Sequence, residues 1–408
     1  MFYCFATPAI ALTEEQRLVA EAWRLVDRAY VDDTFNHQNW WLVRQNALKQ
    51  PLGDREQAYT AIQQMLASLD DPFTRLLKPD QYHSLQTNTS GELTGVGLQI
   101  ALDADTGDLR VIAPILGSPA DKAGIQPLDR ILKIDGTPTT GLSLDEAAER
   151  MRGEIGSRVR LTIQRDKAVL SELDVIRDRI ALNPVVAELR SSPSHPLGKS
   201  SSKVGYIRLT QFNANATSEV AHAIQKLGQQ GATSYILDLR NNPGGLLQAG
   251  IEIARLWLDE GTIVYTVNRQ GVEGSFEATG HALTQSPLAV LVNQGTASAS
   301  EILAGALKDN GRAVIVGERT FGKGLIQSLF DLSDGAGLAV TVAHYETPAH
   351  ININKQGIQP DVKVESNPIT LEQSLDQSLE QSGGSSRDRQ FEAAVDLLTS
   401  QHVVAGAT

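Results

Sequence analysis

The sequence predicts a multidomain α+β protein, and three changes of pattern along its 408 residues predict it. Apolar residues first recur at helical spacing. From residue 91 to about 179, short β-prone runs are broken by Gly, Pro and Asp, and after Pro184 strands and helices alternate. The length suggests about two to three domains, and 41% hydrophobic residues supply their cores.

The first residues are apolar and reach Ala9-Ile10-Ala11, an A-x-A pattern of the kind that precedes signal-peptidase cleavage. Residues 1–11 therefore read as the remnant of a signal peptide, with a short buried strand or a loose apolar terminus as the alternative. No later stretch reaches the run of about 18 apolar residues that a membrane helix requires. Thr13-x-x-Gln16 has the form of a capping box and opens a run with Leu18, Ala22, Leu25, Val26 and Ala29 on one face. A second amphipathic run after Asp54 carries Ala58, Ile62, Met65, Leu66 and Leu69. Residues 12–82 are expected to form a helical N-terminal domain, with the C-terminal tail as a candidate packing partner. Trp40 and Trp41 are assigned to its core.

The middle region places strands at 97–101, 109–113, 130–134 and 158–164, with short helices at 120–123 and 144–151. Three segments in order, Thr94-Gly95-Val96-Gly97-Leu98, Ser118-Pro119-Ala120-Asp121-Lys122-Ala123-Gly124 and Leu128-Asp129-Arg130-Ile131-Leu132-Lys133-Ile134-Asp135-Gly136, give residues 88–180 a close resemblance to a PDZ domain. A glycine-rich turn entering a strand aims backbone N–H groups at a carboxylate, and the strand edge accepts an extended peptide. Gly95, Val96, Gly97 and Leu98 are the expected peptide-binding residues. Read alone, Gly95-Val96-Gly97 is also compatible with an ordinary turn.

Strands at 204–209, 234–239, 288–292 and 313–316 alternate with helices at 218–227, 247–258 and one opening near Ser298, an α/β pattern with right-handed crossovers over 181–365. Residues 366–408 are polar, with a flexible linker at 382–386 before a short helix carrying Phe391, Val395 and Leu398.

The chemistry centres on Gly295-Thr296-Ala297-Ser298-Ala299-Ser300-Glu301-Ile302 and on Phe321-Gly322-Lys323-Gly324. A serine hydroxyl needs a neighbouring base, and a lysine serves only when burial or a nearby cation lowers its pKa. Lys323 lies among small and apolar residues, which suits burial. Gln327 follows at i+4, and even spacing along an extended chain would put it on the face of Lys323 as a neutral support. Ser298 precedes a helical run, so the N–H of Ala299 is a candidate oxyanion donor. Gly244 and Gly245, in Asn241-Asn242-Pro243-Gly244-Gly245, offer a second donor. The plainer alternative makes Ser298 or Ser300 a helix cap and Lys323 a solvated turn residue.

Taken together, Asp238-Leu239-Arg240-Asn241-Asn242-Pro243-Gly244-Gly245, the Ser298 string and Gly317-Glu318-Arg319-Thr320-Phe321-Gly322-Lys323-Gly324-x-x-Gln327 resemble the carboxyl-terminal processing (tail-specific) peptidases. The resemblance runs from about Thr13 to Asp361. It implies Ser298 as nucleophile, Lys323 as base and Gln327 as its support, on a core similar to the Clp protease and crotonase fold. Phe35-Asn36-His37-Gln38-Asn39-Trp40-Trp41 is most similar to the cyanobacterial and chloroplast branch, which trims the photosystem II reaction-centre precursor. The resemblance also implies an exported protein of the thylakoid lumen or periplasm, a protein substrate with a free C-terminus that is compatible with a membrane-embedded precursor, and a regulatory arginine from the PDZ domain. Arg165, at the end of the last PDZ strand expected, best fits that position, with a hinge at 181–186.

A formal charge of −12 and a pI near 5.2 argue against nucleic acid as a partner. Cys4 is the only cysteine, which excludes an internal disulfide and a Cys-based metal cluster. No metal and no cofactor is expected. A Ser-His-Asp enzyme using His344 or His350 lacks the nucleophile-elbow motif. A crotonase-type acyl-CoA enzyme has no place for an inserted PDZ module. The alternative from another class is a PDZ-bearing scaffold that binds C-terminal peptides and leaves them intact.

Overall fold

The computed structural model describes residues 12–103, 106–115, 117–165, 168–191, 203–365 and 388–405. The signal-peptide remnant at 1–11, the loop around His195 and the linker at 382–386 lie outside the described residues. The chain forms two compact units: Thr87–Asn183 is inserted into a larger one made of Met1–Gln86 and Pro184–Thr408.

In the larger unit, the first three helices each start where a polar side chain satisfies a free N–H group. Thr13 and Gln16 form the reciprocal capping box of Glu14–Ala29, Asn39 accepts from Leu42 N–H at the start of Trp40–Leu48, and Asp54 accepts from Gln57 N–H at the start of Arg55–Ala67. Their apolar faces do not close on themselves. Leu18, Val26, Trp40, Ile62, Met65 and Leu66 share one cluster with Leu76 and with Leu338 and Val340 of the strand Gly337–Glu346. The expected separate helical domain is therefore corrected: one short helical layer buries its stripe only against the neighbouring sheet, and the two form one unit. Trp41 is corrected too, since it is 60% exposed while Trp40 is buried.

The central sheet runs Val185–Ser191, Lys203–Leu209, Ser234–Asp238, Leu288–Val292, Val314–Gly317 and Val362–Lys363, with the first pair antiparallel and the rest parallel. Ser-Tyr-Ile-Leu-Asp and Leu-Ala-Val-Leu-Val are buried throughout, because both faces are covered. Helices Ala216–Gln229, Leu247–Arg255 and Ala299–Asp309 contribute to the cluster on one face. On the other, Ala394, Val395 and Leu398 of Arg389–Ala405 pack on Val204, Tyr206, Ile236, Ala289, Leu291 and Val316. Arg240 ties this segment down, reaching Asp388 at 2.8 and 2.9 Å while its Nε bonds Asp238 at 3.0 Å. Burial alone would raise the Asp388 pKa, but bonds and charge from Arg240 hold it below the usual carboxylate range.

A second sheet is built around Gly337–Glu346, which pairs with Arg75–Leu77, Leu325–Asp331 and Thr262–Asn268; the last also pairs with Gly271–Glu277. In the inserted unit, Leu98–Leu102, Leu109–Pro114, Arg130–Ile134, Arg158–Arg165 and Ala168–Ile176 form an antiparallel sheet in that order. Leu98–Leu102 is terminal, and the helix Leu144–Met151 packs beside it. Arg165 does not end the last strand of this unit, since Ala168–Ile176 and Asp178–Ala181 follow it.

A chain ending at Glu365 should lose the cover of one sheet face, at about 1.5–3 kcal/mol for each large apolar side chain returned to water. It is expected to melt well below the full chain and to bind a hydrophobic dye; an unchanged melting curve would contradict this account of the C-terminal helix.

Candidate active site

Three loops leave the carboxyl ends of three adjacent parallel strands, the place where α/β sheets present their sites. They are the turn 239–245, the turn 293–298 and the loop 318–324. The first two are sewn together through main-chain acceptors. Thr296 Oγ1 donates to Leu239 O at 2.9 Å, Ala297 N to Asn242 O at 3.0 Å, and the buried Ser300 hydroxyl to Asn242 O at 3.0 Å. Ser300 thus has a structural partner. Ser298 is half-buried at the head of the helix Ala299–Asp309, with φ 58° and ψ −119°. Few non-glycine residues hold such a backbone, and strain of this kind clusters at functional sites.

Gly244 lies against this turn with φ +94°, and a Cβ on it would come within 2.9 Å of Ser298 Cβ and Ala299 N. Only glycine fits there. Its N–H donates to Asn242 Oδ1 at 2.9 Å. Gly244 as an oxyanion donor is corrected to that extent: its hydrogen already has an acceptor, and serving an oxyanion requires exchanging it. The N–H groups of Ala299 and Gly245 have no acceptor among the described residues.

The third loop is fastened to the second by a side chain that the motif reading passed over. Glu301 is fully buried. Its Oε2 accepts from Ser298 N at 2.9 Å and Lys323 N at 2.8 Å; its Oε1 accepts from Gly322 N at 2.8 Å and from the Thr320 hydroxyl. The signal for it was legible, because Ser298-Ala299-Ser300-Glu301 is itself a Ser-x-x-Glu capping pattern. Opposite, the buried Tyr345 hydroxyl lies 2.7 Å from Lys323 O and 3.1 Å from Ser298 O. The main chains of Ser298 and Lys323 are thus held together on both sides. No hydrogen bond joins their side chains among the described residues.

The Lys323 amine is half-buried, 4.9 Å from the centre of the Phe73 ring. Burial first, and then the Arg75 guanidinium, push its pKa below the ordinary lysine value, against the opposing carboxylates of Asp71 and Glu301. Phe73, Arg75 and Asp71 come from the N-terminal segment, where no motif pointed to chemistry. Gln327 is not aligned with Lys323 by even spacing as expected, because Lys323 precedes the strand Leu325–Asp331 and a bulge falls between Ile326 and Gln327. The Gln327 amide instead donates to Thr341 Oγ1 at 3.4 Å.

Of the histidines, His350 is exposed, paired with Glu346 at 3.2 Å and stacked on Tyr265; His344 lies in the strand Gly337–Glu346. Among the described residues no hydrogen bond joins either to Ser298. In the inserted unit, Gly97 has φ +79°, and a Cβ there would meet Ser118 Cβ at 2.3 Å. Val96 O accepts from Ala120 N, and Gly97 O from Ile115 N and Ser118 Oγ, while the Val96 and Gly97 N–H groups have no acceptor among the described residues. Arg165 is built into this unit: its guanidinium chelates buried Asp129 at 2.8 and 2.9 Å and donates to Gly124 O at 2.9 Å.

Residues 203–364 match peptidase family S41, and residues 110–165 match the PDZ domain. The chain is 59% identical to the carboxyl-terminal-processing protease of Synechocystis sp. over 98% of its own length and 90% of that protein. The chain belongs to peptidase family S41, among the carboxyl-terminal-processing proteases. It is also 51% identical to carboxyl-terminal-processing peptidase 2, chloroplastic, of Arabidopsis thaliana, over 87% of this chain and 70% of that one. A solved photosystem II D1 C-terminal processing protease superposes with a TM-score of 0.58 at 44% identity, covering 93% of this chain and 100% of that chain. The protein is a serine-type peptidase with an S41 core and a PDZ domain. Among the described residues no helix is long and apolar enough to cross a membrane.

Glu301→Gln keeps the shape but turns an N–H donor toward two of the four donors. Stranding two of them costs about 1–3 kcal/mol each. The variant should melt lower and lose most of its turnover on a tailed protein substrate; full activity would remove Glu301 from the apparatus.

Proposed function

We propose that the peptidase removes C-terminal extensions with Ser298 as nucleophile, Lys323 as general base and Gln327 as support for the base. The observation that carries this reading is the shared Glu301 carboxylate, which holds the main chains of Ser298 and Lys323 at 2.9 and 2.8 Å from one oxygen. A lysine kept below its ordinary pKa supplies the neutral amine that must take the Ser298 proton. Attack of Oγ on the scissile carbonyl carbon would place the developing oxyanion at the head of the helix Ala299–Asp309, with the N–H groups of Ala299 and Gly245 as donors. Lys323 then returns the proton to the leaving amine, and water cleaves the acyl-enzyme.

The PDZ domain would take the free C-terminus of the substrate. The acceptor-free N–H groups of Val96 and Gly97 suit a carboxylate, and the terminal strand Leu98–Leu102 with the helix Leu144–Met151 beside it suits an extended peptide. The solved photosystem II D1 C-terminal processing protease supports the D1 precursor as substrate, and cyanobacterial and chloroplastic relatives are consistent with an exported protein of the thylakoid lumen or periplasm.

The test is to incubate the protein and its variants with a polypeptide bearing a C-terminal extension, free or amidated, and weigh the products. Ser298→Ala and Lys323→Ala should each abolish cleavage, whereas Ser300→Ala, which removes one buried hydrogen bond of about 1 kcal/mol, should keep most of it. Amidation should slow processing by removing the charge the PDZ turn would hold. Uncut polypeptide bound by the active-site variants and the parent alike would favour the scaffold reading.

The pH dependence has a defined sign. Lys323 acts when neutral, so the rate rises with pH through its lowered pKa. Arg75→Gln removes a cation that pushes this pKa down, and the acidic limb of the kcat profile should move to higher pH. A limb that stays put or moves to lower pH would contradict the assignment of Lys323 as base.

A further inference from the structure

The strand Gly337–Glu346 is apolar from Leu338 to Ala343 except at Thr341, which is buried to 1% exposure. A valine of the same shape would fill that place without burying a hydroxyl, so the hydroxyl calls for an account. Its surroundings arrange three polar groups in a line. Asp71 Oδ2 accepts from Thr341 Oγ1 at 2.6 Å and from Thr74 Oγ1 at 2.7 Å, and its Oδ1 accepts from Phe73 N at 2.9 Å. On its other side Thr341 Oγ1 accepts from Gln327 Nε2 at 3.4 Å.

The direction of this line is fixed at one end. An ionised carboxylate only accepts, so the single hydroxyl proton of Thr341 is committed to Asp71. What Thr341 then offers Gln327 is a lone pair, which selects the NH2 end of the amide and leaves Oε1 as the end available to the base. Backbone geometry serves the same purpose. In the ladder between Leu325–Asp331 and Gly337–Glu346, Ile326 pairs with Ala343 but Gln327 pairs with Thr341, so the bulge leaves Val342 unmatched and sets Gln327 directly across from Thr341. Bulges re-aim side chains in this way beside active sites. Thr74 holds the far end, accepting from Thr341 N at 3.0 Å.

We propose that Asp71 and Thr341 are positioning residues for the base: the Asp71 carboxylate, through the Thr341 hydroxyl, orients the Gln327 amide so that its oxygen faces Lys323. The inference rests on the proposed Ser298-Lys323-Gln327 reading and adds to it a segment some 250 residues away in sequence. It gives the N-terminal segment a part in the chemistry beyond packing.

Thr341 is the residue to change, because it is uncharged and its loss leaves the carboxylate field at Lys323 in place. Thr341→Val should lower kcat by about tenfold with KM within about twofold, the size of one lost orienting hydrogen bond. Thr341→Ser restores the hydroxyl and should recover most of that loss. The deciding measurement is a double-mutant cycle on a tailed polypeptide, taken below the melting temperature of every variant. In a Gln327→Ala background Thr341→Val should cost no more than about twofold, since the hydroxyl acts only through the amide. An equal loss in both backgrounds would make Thr341 structural and overturn the proposal. Full activity of Gln327→Ala would overturn the relay and the part given to Gln327, leaving the dyad standing. Activity in Ser298→Ala would instead bring down the reading beneath both.

Discussion

A carboxylate buried without solvent has to be surrounded by donors, and Glu301 meets that demand by drawing two loops onto itself. Four donors on two oxygens leave it neither a free lone pair of consequence nor room to move. Separating the serine turn from the lysine loop would strand an anion in the interior, a cost of several kcal/mol that no contact nearby offsets. The fold therefore fixes the distance between the two main chains through electrostatics, while the side chains of Ser298 and Lys323 are left outside these bonds. Tyr345, whose own pKa is raised by burial and by the Glu301 charge, stays a neutral hydroxyl and bridges the carbonyl side.

Around this centre the scaffold supplies rigidity in layers. Three parallel strands aim their loops at one place, Ser300 and Thr296 anchor the serine turn to the neighbouring one, and Gly244 gives up a side chain so that the two can touch. Next to that turn, Arg240 is neutralised by Asp238 from the sheet and Asp388 from the C-terminal segment. The result is a candidate site surrounded by residues spread from Asp71 to Asp388, many of them buried polar groups with partners. Such networks specify one arrangement at the cost of tolerating few substitutions.

Much of this was legible in the sequence, for identifiable reasons. Strands such as Arg130–Ile134 and Leu288–Val292, and the helix Leu144–Met151, follow from patterns that are local, and so does the cap at Thr13. The hairpin of Thr262–Asn268 and Gly271–Glu277 was not read, because polar residues interrupt its alternation and no strong turn pair marks it. The independence of the helical segment was misjudged because periodicity reveals an apolar face but not what covers it. At the site, Ser298, Lys323 and Gln327 stand in motifs. Asp71, Phe73, Arg75, Thr341 and Tyr345 do not, since their meaning arises only when the strand Gly337–Glu346 brings distant segments alongside. The pairing of Gln327 with Thr341 also depends on a bulge, which shifts register by one residue and cannot be inferred from spacing.

The C-terminal helix carries a consequence for the enzyme's own survival. A peptidase that trims protein tails is surrounded by copies of itself, each with a tail of its own. A chain is bound for cutting most readily when extended, whereas Arg389–Ala405 is helical, fixed through Ala394, Val395 and Leu398 to the sheet and through Asp388 to Arg240. Cutting within it requires pulling it off the sheet and unwinding it first. The same contacts that complete the core thus keep this stretch out of the extended form in which a chain can be cut.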